Sequence, residues 1–282
     1  MLSLKRRERH VSMMRKLKKK TLLWKMQIPQ GRYALIADNH GFFDVYEETV
    51  REVLDKHDDL KGIFHLGDMM GTGSTIEDCI NCLRFTIEKR IIAIRGNHCR
   101  NLLNCDTKHK YSQKTQEFNK ELYQSLKGET DLYERFLKFP DKIETNSFHL
   151  VHSSFYKPYY SSNGYNNELC LTYNLVPKPV FASHEHKFQM LIKSGISIKK
   201  IDLEIDKDIL VNQPCIISVP TMNYSKERHK FTHGYLILTV LDNYNLLIRA
   251  YHLDKIFAKE RPETILGQGR IQDIEIKDVV WD

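Results

Sequence analysis

The chain has 282 residues, 41% of them hydrophobic and 28% charged, with a formal net charge of +7. This composition is typical of a globular protein with a sizeable core, and no segment has the roughly 18 consecutive apolar residues of a membrane span. The N-terminus lacks the apolar stretch of a secretory signal, and the six cysteines show no evident disulfide framework. We therefore expect reduced thiols and a cytoplasmic location.

The positive charge is concentrated at the N-terminus. Residues 1–26 contain ten Lys or Arg and one Glu, whereas the rest of the chain contains 33 basic and 35 acidic side chains. Residues 1–31 are therefore predicted to form a basic arm. Apolar residues from Val11 to Trp24 favour a helix whose end, residues 22–26, packs on the body. Contact of the arm with nucleic acid or an anionic membrane is the alternative.

Three units of strand, polar turn and helix follow the arm. Short apolar runs predict buried strands at 32–37, 62–66 and 91–94, and helical spacing predicts helices at 45–57 and 76–89. Consecutive units of this kind imply a parallel sheet, which binds ligands at the carboxyl ends of its strands.

The second half of the chain changes to β structure. After a polar, loop-like stretch at 99–112, helices are predicted at 113–127 and 131–138, and Pro140 ends the helical pattern. Strands are predicted at 148–151, 179–182, 188–193, 196–203, 215–219, 234–241 and 246–253, the last two as a hairpin. Segment 153–178 is a Tyr- and Asn-rich loop whose rings either pack locally or stack on a nucleobase or sugar.

Five polar clusters each stand at the end of an apolar run. They are Asp38-Asn39-His40, Gly67-Asp68, Gly96-Asn97-His98, His152 and His184-Glu185-His186. Carboxylate oxygen, amide oxygen and imidazole nitrogen are ligands of divalent metal ions, and the absence of Cys from these positions argues against a structural zinc finger. Any one of these histidines alone would be interpreted as a core or surface residue, but the set in this order favours a metal site.

The order of these clusters resembles the calcineurin-like metallophosphoesterase superfamily, whose pattern is D-x-H, G-D, G-N-H, a single His and G-H-x-H. The resemblance covers residues 32–253 and is nearer to the small prokaryotic branch, since Asp-Arg-Gly does not follow Gly67-Asp68. It implies an α/β fold, a sandwich of two mixed β-sheets flanked by helices. The expected domain is 32–254, with a helical insertion at about 113–139 and a C-terminal tail at 255–282.

The resemblance also implies roles for individual residues. One metal ion would be held by Asp38, His40 and His186, the other by Asn97, His152 and His184, and Asp68 would bridge them. His98 would be the catalytic acid. Mn is favoured among Mn, Fe, Zn, Ni and Mg, and the reaction would be hydrolysis of a phosphomonoester or nucleotide-type phosphodiester by a metal-bridging hydroxide.

Two residues depart from the family pattern. Ser183 replaces the glycine before His184, and Cys99 stands where a carboxylate usually follows the G-N-H histidine. A neutral thiol orients an imidazole less well than a carboxylate does. We therefore hypothesise that His98 is weakened or that another carboxylate, such as Asp106, takes this part.

Other residues leave alternatives open. Arg95 and Arg100 flank the third cluster, and either a phosphate contact, with Arg100 as the substrate-binding candidate, or a surface salt bridge would explain them. His65 and His149 are interpreted as structural, and Cys79-x-x-Cys82 as buried thiols on a helix.

The expected substrate is a small-molecule phosphate ester. A nuclease that uses the basic arm and a non-catalytic scaffold on the same fold are the alternative functions. The sequence does not define an oligomeric state.

Overall fold

The computed structural model describes residues 22–71, 74–103, 112–154, 167, 171, 173–222, 234–242 and 245–253, and the backbone of 276–281. The strands are β1 Leu22–Met26, β2 Gly31–Ile36, β3 Leu60–His65, β4 Ile92–Ala93, β5 Lys142–Thr145, β6 His149–Val151, β7 Val180–Ala182, β8 Gln189–Ser194, β9 Ser197–Asp202, β10 Ile209–Val211, β11 Cys215–Ser218, β12 Gly234–Val240, β13 Leu246–His252 and β14 Ile276–Trp281. The helices are α1 Phe43–Lys56, α2 Ile76–Glu88, α3 Asn97–Leu103, α4 Gln113–Gly128 and α5 Thr130–Leu137.

The strands form two mixed sheets that face each other. The eight-stranded sheet has the order β14-β1-β5-β6-β7-β11-β8-β9, and the six-stranded sheet has the order β10-β13-β12-β2-β3-β4. Strands β2, β3 and β4 are parallel, as the three repeated units predict, while β12 joins β2 antiparallel. The predicted fold class, a sandwich of two mixed sheets with flanking helices, is confirmed.

Strand β2 is apolar and buried from Tyr33 to Ile36, and its packing explains this pattern. Tyr33 and Leu35 point into the core between the sheets, whereas Ala34 and Ile36 point to the helices that cover the other face. Successive side chains of a strand alternate between faces, so a strand buried on both sides needs a continuous apolar run.

The helices agree with the predicted spacing except near the third cluster. Helix α2 begins with a capping box in which Thr75 and Asp78 each accept a hydrogen bond from the other residue's backbone N–H. The predicted loop at 99–112 is wrong in its first part, because helix α3 starts at Asn97 directly after the turn. Within the described ranges, no helix combines the length and apolar character needed to cross a membrane.

The predicted helix is wrong for residues 22–26, which form strand β1. This strand pairs parallel with β5, where Leu23 lies opposite Lys142, and antiparallel with β14, where Leu22 lies opposite Trp281. A five-residue apolar run does not distinguish a strand from part of a helix, and the pairing partners lie more than a hundred residues away. Strands β5, β10 and β14 were also not predicted from the sequence.

The position of β1 predicts how N-terminal deletions behave. Removal of residues 1–26 should lower the free energy of unfolding by roughly 5 kcal/mol, because Leu22, Leu23 and Met26 lose their buried positions. Removal of residues 1–21 keeps this strand and is the matched control. Thermal and urea unfolding followed by circular dichroism measures both, and equal stability of the two truncated proteins would contradict the prediction.

Candidate metal centre

The five polar clusters meet at one edge of the sandwich. Asp38, Asp68 and the segment from Gly96 follow β2, β3 and β4 of one sheet, and His152 and His184 follow β6 and β7 of the other. Among the described residues, three groups could each hold a metal ion, because the ligand atoms within a group lie within 4.8 Å of one another. The groups are Asp38–His40–His186, His40–Asp68–His98 and Asp68–His152–His184. The structure therefore brings together all the predicted His and Asp residues of the site.

The backbone at these residues is unusual. Non-glycine residues with positive φ in the described part of the chain are Asp38, His40, Asp68, Arg90, Asn174, His184, His186 and Asp206. Five of these eight are candidate metal ligands. A left-handed conformation costs about 1–3 kcal/mol for a non-glycine residue and is retained where the surroundings enforce it, typically at functional sites. Here the left-handed conformation turns the backbone sharply after each strand, so the ligand side chains converge.

Two glycines allow the turns after β3 and β4 to approach each other. A Cβ on Gly96 would overlap with the Asp68 carboxylate and backbone nitrogen, and a Cβ on Gly67 would lie 2.7 Å from His152 Nδ1. Gly67 also has a φ of 98°, which favours glycine. Gly96 therefore makes room for the Asp68 carboxylate, and Gly67 makes room for the His152 ring and the Gly96 backbone.

His152 is fixed by hydrogen bonds on both ring nitrogens. Nδ1 lies 2.9 Å from the Leu66 carbonyl oxygen and 2.9 Å from Ser183 Oγ. Nε2 lies 2.8 Å from Asn97 Oδ1 and 3.0 Å from Asp68 Oδ2. Nδ1–H can donate to the carbonyl, which directs Nε2 into the cluster, an orientation common for metal-binding imidazoles. Ser183, where the family has glycine, adds a hydroxyl that supports this orientation.

Burial decides the charge of two imidazoles in the cluster. It lowers the pKa of His40 to about 3 and that of His184 to about 4, so both are neutral at pH 7 and can bind a cation. Burial also lowers the pKa of His152, but the neighbouring Asp68 carboxylate outweighs it and raises this pKa to about 9. A proton on His152 Nε2 therefore occupies the position that a metal ion would take.

The pKa values of the two carboxylates shift in opposite directions. Burial raises the pKa of Asp38 to about 7, against the opposing effect of His152. Burial also raises the pKa of Asp68, but the nearby imidazoles of His152 and His98 hold it well below its usual range. Asp68 is therefore ionised at neutral pH and lies between the two halves of the cluster.

The residues present fit divalent metal ions. Asp38 Oδ1 is buried without a hydrogen-bond partner, and its nearest ring nitrogens are His186 Nε2 at 3.7 Å and His152 Nδ1 at 3.9 Å. A buried carboxylate oxygen without a partner is costly. A cation placed between Asp38 and His186 would satisfy it with oxygen and nitrogen ligands.

His98 lies beside the cluster as well. Its backbone N–H donates to Asp68 Oδ1 at 2.8 Å, and its ring packs edge-on against His40 with centroids 4.8 Å apart. Cys99 points away into the core, where it is 2% exposed, and burial raises the pKa of its thiol to about 11. The neutral thiol gives His98 no charge, and Asp106 lies outside the described residues.

Arg100 and Arg95 are engaged elsewhere. Both guanidinium groups donate to the Asp141 carboxylate, and all three side chains are buried. The predicted surface salt bridge is wrong in location, because these ion pairs lie inside the protein. Contact of Arg100 with substrate stays a prediction.

Sequence reasoning did not assign a role to the buried polar group formed by His65 and Asn39. His65 Nε2 lies 2.9 Å from Asn39 Oδ1, and His65 Nδ1 accepts a hydrogen bond from the Gly67 N–H at 3.2 Å. Asn39 stands between Asp38 and His40, so His65 joins the first turn to the second. The only signal in the sequence was a histidine inside an otherwise apolar strand, and this signal does not identify the partner.

Comparisons with known proteins agree with this arrangement. A model of the calcineurin-like phosphoesterase family matches residues 31–188, more than half of the chain, and the chain belongs to this family. A phosphoesterase fold with a cluster of His and Asp residues suited to metal is thus the class that fold and site define.

The fold is similar to that of a metallophosphoesterase from Sphaerobacter thermophilus, with a TM-score of 0.56 and 16% identity over 78% of this chain and 88% of that chain. A putative diadenosine tetraphosphatase is also similar, with a TM-score of 0.48 and 13% identity over 83% of this chain and 100% of that chain. No curated protein sequence matches the chain significantly.

The close approach at Gly96 makes a specific prediction. Gly96→Ala should displace Asp68 and weaken binding of Mn²⁺ by roughly 10–100-fold, as loss of a ligand's supporting contacts typically does. Gly128→Ala is the matched control, because a Cβ there meets no atom within 4 Å. Isothermal titration with Mn²⁺ measures both variants, and unchanged affinity in Gly96→Ala would contradict the role given to this glycine.

Proposed function

We propose that this protein is a phosphoesterase that uses two divalent metal ions to hydrolyse a phosphomonoester or nucleotide-type phosphodiester. The observation that carries the proposal is the pairing of two ligand groups across one edge of the sandwich. Asp38, His40 and His186 form the first group, and Asp68, His152 and His184 form the second. Asn97 joins the second group, since its Oδ1 lies 2.8 Å from His152 Nε2.

Each residue then has a defined task. Two bound ions would supply Lewis acidity and a nucleophile derived from water at neutral pH. Asp68 lies between both groups, so its charge reduces the repulsion between two cations. Its Oδ1 accepts the His98 N–H, which places the His98 ring next to His40 at the rim of the cluster. From there His98 donates a proton to the departing oxygen of the ester.

The ligand types support Mn²⁺ as the first metal to test. The set combines carboxylate and amide oxygens with neutral imidazoles and contains no thiolate, a combination that also admits Fe, Zn, Ni and Mg. A reducing, cytoplasmic location is part of the proposal. The free, buried state of Cys79, Cys82, Cys99 and Cys215 supports it.

Loss of a proposed ligand provides the direct test. Asp68→Ala and Asn97→Ala should each reduce Mn²⁺-dependent hydrolysis of an aryl phosphate ester by at least roughly 10³-fold, since the second ion loses a ligand. Asp58→Asn, an exposed carboxylate after α1, should leave the rate unchanged. Hydrolysis that persists in Asp68→Ala would overturn the proposed function. A wild-type protein that binds no metal and hydrolyses no ester would favour the scaffold alternative.

A second candidate, hydrolysis of a nucleic-acid phosphodiester, is favoured by the position of Leu22. Lys142 lies opposite both Leu23 and Val151, so β1 starts level with the end of β6, where His152 follows. Residues 1–21, with nine Lys or Arg and one Glu, therefore join the fold at the same edge as the candidate metal centre. A basic segment attached there suits a polyanionic substrate.

Deletion of residues 1–21 separates the two candidate functions. For a nuclease, hydrolysis of single-stranded DNA or RNA should fall by about tenfold or more and lose most of its salt dependence, because phosphate contacts are removed. Hydrolysis of a small aryl phosphate should be unchanged, since every described ligand is kept. Equal activity on nucleic acid before and after the deletion would argue against the nuclease.

A further inference from the structure

A buried ion cluster lies directly behind the third turn of the candidate metal centre. Asp141 is 0% exposed, and its Oδ2 accepts a hydrogen bond from Arg95 Nη2 at 2.7 Å. Arg100 Nε donates to Asp141 Oδ1 at 3.0 Å, and Arg100 Nη2 donates to Oδ2. Arg95 is 0% exposed and Arg100 is 6% exposed. Two guanidinium groups therefore share one carboxylate in an almost fully buried position.

The backbone around Asp141 ties this cluster to both sheets. Asp141 immediately precedes β5, its N–H donates to the Leu22 carbonyl oxygen, and its Oδ2 accepts the Leu22 N–H, both at 2.7 Å. On the other side, the Arg95 N–H donates to the Pro140 carbonyl oxygen at 2.7 Å. The start of β5 in the eight-stranded sheet is thereby fixed to the segment that leaves β4 in the six-stranded sheet.

The two arginines stand at either end of the residues that face the metal centre. Arg95 precedes Gly96, and Arg100 lies one turn into α3, where its N–H donates to the Gly96 carbonyl oxygen at 3.0 Å. Asn97 and His98 lie between them and contact His152 and Asp68 respectively. Because both flanking side chains are held by Asp141, the turn between them has little freedom to shift.

We propose that Asp141, acting through Arg95 and Arg100, is a positioning residue for the second metal ion and for His98. This inference rests on the proposed function, since it assumes that Asn97 and His152 share an ion. Asp141 does not itself enter the cluster of ligands. Its effect is to hold Asn97 Oδ1 against His152 Nε2 and the His98 N–H against Asp68 Oδ1.

A positioning role predicts a selective loss. The first group of ligands, Asp38, His40 and His186, follows β2 and β7 and does not include any residue held by Asp141. Weakening the ion cluster should therefore affect the second ion more than the first. A purely structural role would lower stability and affect both ions alike.

The principal variant is Asp141→Asn, which keeps the shape of the side chain and removes its charge. Arg100→Lys is the second variant, because it retains the charge and loses the two-point contact with Asp141. Ile143→Ala is the matched control: Ile143 is 0% exposed on β5, the strand that follows Asp141, so this substitution destabilises the fold without changing the partner of the arginines. All are made in the full chain and compared at a temperature where circular dichroism shows them folded.

Each protein is titrated with Mn²⁺. Calorimetry and the spin coupling between two bound Mn²⁺ ions are the two readouts, and together they give the affinity of each ion. In Asp141→Asn we expect roughly 10–100-fold weaker binding of the second ion and less than threefold change for the first. Arg100→Lys should show the same selectivity with a smaller loss, and it decides the question if Asp141→Asn does not fold. In both variants, kcat for the hydrolysis of aryl phosphate should fall by a larger factor than the factor by which KM changes. Ile143→Ala should bind both ions as the wild type does.

The outcomes separate this inference from the proposed function. Parallel weakening of both ions, or an equal effect of Ile143→Ala, would overturn the positioning role while the wild-type enzyme still binds two ions and hydrolyses ester. Wild-type binding of both ions in the folded Asp141→Asn and Arg100→Lys variants would overturn it as well. A wild-type protein that binds fewer than two ions would instead contradict the proposed function, and the inference with it.

Discussion

Two carboxylates, Asp38 and Asp68, are buried in one cluster, and their charge is the constraint on which the rest of the site depends. Burial disfavours the charged form of both, yet the neighbouring imidazoles of His152 and His98 keep Asp68 ionised. His40 and His184 are neutral because they too are buried, so they contribute ligands and no positive charge. The cluster thus offers carboxylate oxygens and neutral imidazole nitrogens, and a divalent cation would take the place of the proton that Asp68 keeps on His152.

The backbone arrangement follows from this requirement. The ligands come from the ends of strands in both sheets, and most adopt the left-handed conformation that turns the chain across the edge of the sandwich. Glycines at 67 and 96 let two of these turns touch, and His65 joins two of them from below through Asn39 and Gly67. The turns retain their strained backbone because β2 and β3 are closely packed on both faces. The backbone that leaves these strands therefore cannot relax into another conformation.

The ion cluster around Asp141 extends the same principle beyond the ligands. Removing charges from water is costly unless they are paired and hydrogen-bonded, and this carboxylate meets two guanidinium groups and one backbone N–H. The cluster links β1, β5 and the turn after β4 into one unit. Leu22, the first described residue, belongs to that unit through its two hydrogen bonds with Asp141.

The sequence by itself determined the order and chemistry of the candidate ligands, since each polar cluster follows an apolar strand and strand and helix periods are local properties. It also determined the parallel units and most helices for the same reason. Only the tertiary structure decided that residues 22–26 form a strand, that Asp141 captures Arg95 and Arg100, and that Cys99 is enclosed in the core. These depend on contacts such as Leu22 with Asp141, which are 119 residues apart, and no local pattern records which distant segments will pair.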